Sequence, residues 1–277
     1  MKWTYLIFAI LLFACHQVQN KIAEKRSSKN ESLKINRDSL KLLSKQKEQA
    51  DSIKQDSAIT KILNYALLYI DKPYFKKQLK SCDPLLATDI IFGNLFAHDK
   101  KHLVVKNYIN LYEVHLSVFV FDGVKFKLVL NQAFSQLTFL DDKIKDVNGD
   151  YQKDLLIHWY PLSGCCRRDM YDVYLYQKNN GDFTKKYRFI NPTFYPTEKI
   201  IRGVGYGQPG DAELYKYKWN GLKVDTVELI LPDTLSGKFH VFQHWKDFDN
   251  SKVGRFLTDV PKEYSKIESY DWFKGVY

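Results

Sequence analysis

Apolar residues follow three rhythms along this chain, and each marks a different kind of segment. At the N-terminus a single Lys precedes about a dozen apolar residues in MKWTYLIFAILLFAC. That run is the length of a signal-peptide core and short of the ~20 residues a membrane-spanning helix needs. From His16 to about Gln55 the rhythm disappears: Lys, Ser, Gln, Asn and Glu dominate. Such a segment buries too little apolar surface to offset its ordering entropy, so it reads as a tether, helical toward its end. Ile59, Ile62, Leu63, Ala66, Leu67 and Ile70 then recur at intervals of three and four, with Asp56 or Ser57 as N-cap and Pro73 closing the run. This predicts an amphipathic helix docked on a domain.

Beyond about residue 100 the period changes to two. Glu113 to Phe121 and Val124 to Leu130 are β-rich runs separated by Asp122-Gly123, a two-residue hairpin loop in which Gly accepts positive φ. The pattern returns in YDVYLYQKNNGDFTKKY, turning at Asn179-Asn180-Gly181, and in AELYKYKWNGLKVDTVELI, turning at Asn220-Gly221. LLIHWY precedes the first of these and EKIIRGVGYG the second, so a unit of strand, long connection and hairpin recurs. The expected fold is mainly β: repeated antiparallel hairpins in an incomplete β-propeller-like arrangement, with a β-sandwich as the alternative. The expected domains are a signal peptide over 1–14, a flexible tether over 15–56 that begins at Cys15, and a β-rich domain with its leading helix over 57–277.

Composition narrows the functional classes. With 45% hydrophobic residues the chain has material for a core. Lys and Arg exceed Asp and Glu, 42 to 32, for a formal net charge of +10, but the basic residues are scattered among acids. There is no alternation of Arg with aromatics of the kind that builds a stacking groove, so no nucleic-acid partner is expected. Leu12-Phe13-Ala14-Cys15 resembles the lipobox of bacterial lipoproteins. That resemblance implies acylation of Cys15, a membrane partner through the lipid anchor, and a place in the cell envelope facing periplasm or exterior. Disulfides persist in such a compartment. Cys82, Cys165 and Cys166 are the candidate disulfide partners, either as a vicinal pair or through Cys82, and spacing does not choose between them. Arg167 and Arg168 beside the pair would lower a thiol pKa and admit a redox role; a structural staple is the plainer expectation.

The most specific chemical signal is DVNGDYQKD, residues 146–154. Asp146, Asn148, Asp150 and Asp154 occupy positions 1, 3, 5 and 9, and the Gln152 carbonyl falls at position 7. Calcium takes 6–8 oxygen ligands at ~2.3–2.6 Å, and oxygens at alternate positions let a loop curl round the ion. The segment resembles the calcium loops of FG-GAP and related repeat proteins, which link two strands of a propeller blade. Tyr151 stands where Gly is usual, and a left-handed backbone there costs about 1 kcal/mol. The simpler reading is an Asn-Gly-Asp turn that needs no metal. Over residues 110–231 the order of calcium loop, apolar strand, SGCC loop and aromatic hairpins is also similar to calcium-loop periplasmic lipoproteins that act as lysozyme inhibitors or immunity proteins. It implies a structural calcium ion as cofactor and an envelope protein or glycan as partner.

Other constellations are weaker. His98 and His102, and His240 and His244, have the i, i+4 spacing of zinc ligands on a helix, but the second pair lies in an alternating, strand-like run and the first lacks a metalloprotease Glu. GVGYGQPG, residues 203–210, has no following Lys-Ser/Thr and reads as a connecting loop; no G-x-S-x-G elbow is present. Glu113, Asp172 and Glu213 lie near strands and are expected to be solvated; an envelope hydrolase acting on glycan or peptidoglycan would draw on acids of this kind brought together by the fold. With no catalytic motif to match the loop, the expected function is a tethered binding or inhibitory lipoprotein that is not an enzyme, the hydrolase being the alternative. The 19 Tyr and 18 Phe suit a glycan platform under either reading, although aromatics at alternating strand positions belong more often to a core.

Overall fold

The computed structural model describes residues 41–42, 45, 57–80, 87–109, 112–247 and 253–276. The signal peptide, Cys15, most of the tether and Cys82 lie outside the described residues. The chain divides between Tyr65 and Ala66 into two units. In the first, Lys41, Leu42 and Lys45 are helical; helix α1 runs over 57–67, across the division, with Ile62 and Ala66 as its buried positions. The expected periodicity is therefore present, and the helix ends well before Pro73.

The second unit is built from antiparallel sheets laid down in chain order. The first contains β1 (Tyr74–Lys80), β2 (Ala87–Gly93), β3 (His102–Tyr108), β4 (Glu113–Phe121) and β5 (Phe126–Ser135), each paired with the next. The chain continues through β6 (Phe139–Lys145), β7 (Asp154–Trp159), β8 (Met170–Tyr174), the short β9 (Tyr176–Gln177) and β10 (Asp182–Phe183), and β11 (Tyr187–Ile190). These give a four-stranded sheet, β11-β8-β7-β6, and a separate β10-β9 ladder. The third sheet is a meander of β12 (Pro192–Tyr195), β13 (Ile200–Val204), β14 (Leu214–Asn220), β15 (Lys223–Asp233), β16 (Lys238–Phe242) and β17 (Arg255–Leu257). Among the described residues the fold is mainly β, with several antiparallel sheets and no closed barrel, consistent with a sandwich-like or other β-rich arrangement.

The middle sheet is covered on both faces. Side chains alternate across a strand, so Leu155 and Ile157 of β7 point one way and Leu156 the other. Leu155, Ile157, Tyr174 and Tyr176 pack with Val104, Leu116 and Val118 of the first sheet. Leu156, Tyr171, Val173 and Leu175 pack with Ile201, Tyr215, Trp219 and Leu229 of the third. This explains why LLI is a continuous apolar run rather than an alternating one. The third sheet's other face, through Val204, Leu214, Ile230 and Val241, is capped by Tyr264, Ile267 and Phe273 near the C-terminus, where α2 (Tyr270–Phe273) forms a single turn.

Two turns differ from expectation. Phe121 pairs with Phe126, so the first hairpin loop is four residues, 122–125, and Val124 stands outside the strand. The Asp122 carboxylate causes this by accepting the amides of Val124 and Lys125, both at 2.9 Å. In the last hairpin Asn220 pairs with Lys223, so the turn residues are Gly221 and Leu222, with Gly221 at φ +60. The middle pattern is also subdivided: β8 pairs with β11, while β9 and β10 form their own ladder.

Candidate functional site

The 146–154 loop joins β6 to β7. Asp146 organises it: Oδ1 accepts the amides of Asn148 at 3.1 Å and Gly149 at 2.7 Å, and Oδ2 accepts that of Tyr151 at 2.9 Å. Asn148 Oδ1 accepts the Asp150 amide at 3.2 Å, and its Nδ2 donates to Asp150 Oδ2 at 3.1 Å. Asp150 Oδ1 accepts the Gln152 amide at 2.8 Å. Tyr151 has φ +65 and is 87% exposed, so the sixth position does adopt the left-handed turn that Gly would take without strain. Gly149, at φ +74, lies so close to the turn between β12 and β13 that a Cβ would come within 2.1 Å of the Pro196 carbonyl oxygen.

Asp154 behaves differently from its neighbours. It is fully buried, and its two oxygens accept the amides of Val147 and Tyr176, each at 3.0 Å. Burial pushes its pKa up to about 8; the two amides oppose the shift, and Asp150 and Asp146 add to it. The loop thus has oxygen donors in the expected order, held in place by their own hydrogen bonds. Among the described residues, no three His, Cys, Asp or Glu side chains converge as a metal-ligating group. Asp146, Asn148, Asp150 and the Gln152 carbonyl have the hard-oxygen chemistry calcium selects. Asp154, with each oxygen already holding an amide, has only its remaining lone pairs to offer.

The structure distributes the other candidates. His98 lies in a turn and His102 in β3, where it is buried with Nε2 3.3 Å from the Tyr176 hydroxyl; these two do not share a helix. His240 lies in β16, stacked on Phe256 with its Nε2 2.8 Å from the Val253 carbonyl, and His244 falls beyond the strand. Of the acids, Asp172 is buried and gripped by Arg188 Nε at 2.7 Å and Nη2 at 3.0 Å, with Lys186 at 3.3 Å. Glu113 pairs with His115 at 2.9 Å. Glu113 belongs to the first sheet, Asp172 to the second, and Glu213 leads into β14 of the third.

Two arrangements are completed by tertiary contacts that sequence spacing does not encode: the partners of His158, and the approach of Gln208 to the cysteine pair already singled out. His158 stacks on Tyr171 at 4.4 Å, with Nε2 2.9 Å from Asp169 and Nδ1 3.6 Å from Asp141. Cys165 and Cys166 are free thiols, with Sγ atoms 2.8 Å apart, and Gln208 from the glycine-rich loop reaches Cys165. The chain matches no protein-family model, no curated protein and no solved structure.

Proposed function

We propose that this chain is a cell-envelope lipoprotein, anchored through Cys15, whose β domain binds a protein or glycan partner as an inhibitor or immunity protein does. In this reading a calcium ion in the 146–154 loop supports the fold. The observation that carries it is the loop itself: three carboxylates and two side-chain amides within nine residues, already curled, with Tyr151 in a left-handed conformation. Like charges so close repel, and a divalent cation relieves that repulsion. Asp146, Asn148, Asp150 and the Gln152 carbonyl would hold the ion, while Asp154, with both oxygens accepting amides, anchors the loop beneath it. Bound there, calcium would stiffen the entry to β7 and the contact with Pro196, a structural role that suits a domain presenting a fixed surface. Against the hydrolase alternative, Asp172 is held in ion pairs and the candidate acids belong to different sheets.

Pull-down from envelope extracts with the full chain, with and without a calcium chelator, tests the binding reading; recovery of no specific partner in either arm overturns it. Calcium should raise the melting temperature of the wild-type chain and not that of Asp150→Ala. An unchanged wild-type melting curve at saturating calcium removes the ion from the proposal.

A further inference from the structure

The connection between β7 and β8 carries a chemically distinct pair of groups whose chemistry does not depend on the cation loop or on a binding partner. Cys165 and Cys166 are adjacent free thiols; Cys165 is exposed and Cys166 is buried. Their Sγ atoms lie 2.8 Å apart, so once one sulfur is held in a mixed disulfide the other stands within reach of it. Solvent reagents meet Cys165 first, and Cys166 waits behind it.

The surrounding residues are arranged around Cys165. Gly164, at φ +135, permits a close approach in which a Cβ would come within 3.0 Å of Arg168 Nη2. Arg168 in turn donates to the Ser163 carbonyl at 2.6 Å and lies 4.8 Å from the centre of the Tyr206 ring, bracing the thiol loop against the 203–210 segment. From that segment Gln208 Nε2 donates to Cys165 Sγ at 3.1 Å. Trp272 fixes the segment: its Nε1 donates to the Gly207 carbonyl and its own carbonyl accepts the Gly210 amide, both at 3.0 Å. Donors aimed at a sulfur favour its thiolate, and the Cys165 thiol is held below its ordinary value, first by Cys166 and further by Gln208 and Tyr206.

We propose that Cys165 and Cys166 form a redox-active dithiol that exchanges with low-molecular-weight disulfides, with Cys165 attacking and Cys166 resolving. The Cys165 thiolate attacks one sulfur of a disulfide RS–SR, forming a mixed disulfide and expelling RS⁻. Cys166 then loses its proton and attacks Cys165 Sγ, closing the vicinal bond and expelling the second RS⁻. The protein gives up two electrons, RS–SR is reduced to two thiols, and the two protons released balance the two thiolates. Closing a ring through one peptide bond is strained, and strained disulfides are the readily reduced, reversible ones. Gln208 is the positioning residue, holding a donor on the attacking sulfur.

The test uses the full wild-type chain with oxidised glutathione as the disulfide, followed by alkylation, digestion and peptide mass spectrometry. The peptide containing Cys165 and Cys166 should be recovered unalkylated and two hydrogens lighter, and dithiothreitol should restore two alkylatable thiols. In Gln208→Ala, closure should slow severalfold while the melting temperature is unchanged. A peptide that stays doubly alkylated, accumulates as a glutathione mixed disulfide, or is crosslinked to the Cys82 peptide overturns the proposal. Closure at the wild-type rate in a folded Gln208→Ala chain overturns the activation assigned to Gln208.

Discussion

The amide of Tyr176 donates to the buried carboxylate of Asp154 at 3.0 Å, so the last residue of the acidic loop also fixes the start of β9. The second oxygen takes Val147 at the other end of the loop. One side chain therefore closes the loop on itself and fastens it to the next hairpin.

Asp154→Ala should leave two buried amides unsatisfied. A lost buried partner costs ~1–3 kcal/mol, so the expected loss is about 3 kcal/mol, read as a fall in the urea midpoint. Asp154→Asn keeps one acceptor oxygen and turns an NH2 toward the other amide, so it should lose roughly half as much. An unchanged midpoint in Asp154→Ala would contradict the clamp.

His102 makes stability depend on pH. It is fully buried between Phe96 and Tyr176, and burial lowers its pKa to about 4. The unfolded imidazole takes its proton near pH 6.5, so between these values the unfolded state binds more protons. The contribution of His102 is thus fully present above about pH 6.5 and declines as pH falls toward 4, by about 3 kcal/mol in total. Asp154, raised to about 8, titrates in the opposite sense across the same range, so the His102 component is read as the difference in urea unfolding between wild type and His102→Gln, which should narrow as pH falls from 6.5 toward 4.

Breaking the ion pair on the middle sheet should expose the cost of a buried charge. Arg188 meets Asp172 through two nitrogens and covers Trp159 at 4.9 Å, but it is itself part-exposed. With Lys186 still at 3.3 Å, Arg188→Ala should cost about 2 kcal/mol rather than the larger loss of an unpaired interior charge. Adding Asp172→Asn should recover part of it. Additive losses in the double variant would argue against coupling.

The two left-handed positions of the acidic loop should respond in opposite directions. Tyr151→Gly relieves backbone strain at an exposed site and should stabilise the chain by about 0.5 kcal/mol, after the greater freedom of Gly in the unfolded state is subtracted. Gly149→Ala forces a Cβ onto Pro196 and should destabilise by at least ~2 kcal/mol. Both are measurable as shifts in melting temperature without calcium.

Much of the strand pattern was legible because it is local. The alternation in Glu113–Phe121 and the Gly at position 221 carry their structural meaning within a few residues. The four-residue turn at 122–125 was not legible, since it depends on an Asp side chain taking amides that a tighter loop would leave elsewhere. The loop residues 146, 148, 150 and 154 were identified from spacing, yet Asp154's second role needs Tyr176, twenty-two residues along the chain. Gln208 lies forty-three residues from Cys165, and only the packing of two connections brings them together. The same holds for His158 between Asp141 and Asp169: no periodicity encodes a contact between a strand and two separate segments.

A sheet covered on both faces has a consequence for how the chain is made. Synthesis delivers β1 to β5 first and β12 to β17 last, so Leu156, Tyr171, Val173 and Phe189 stand uncovered until the final third of the chain has emerged. A product truncated before Pro192 would not be two-thirds of a protein; it would carry an open apolar face of the kind that recruits chaperones, proteases or other copies of itself.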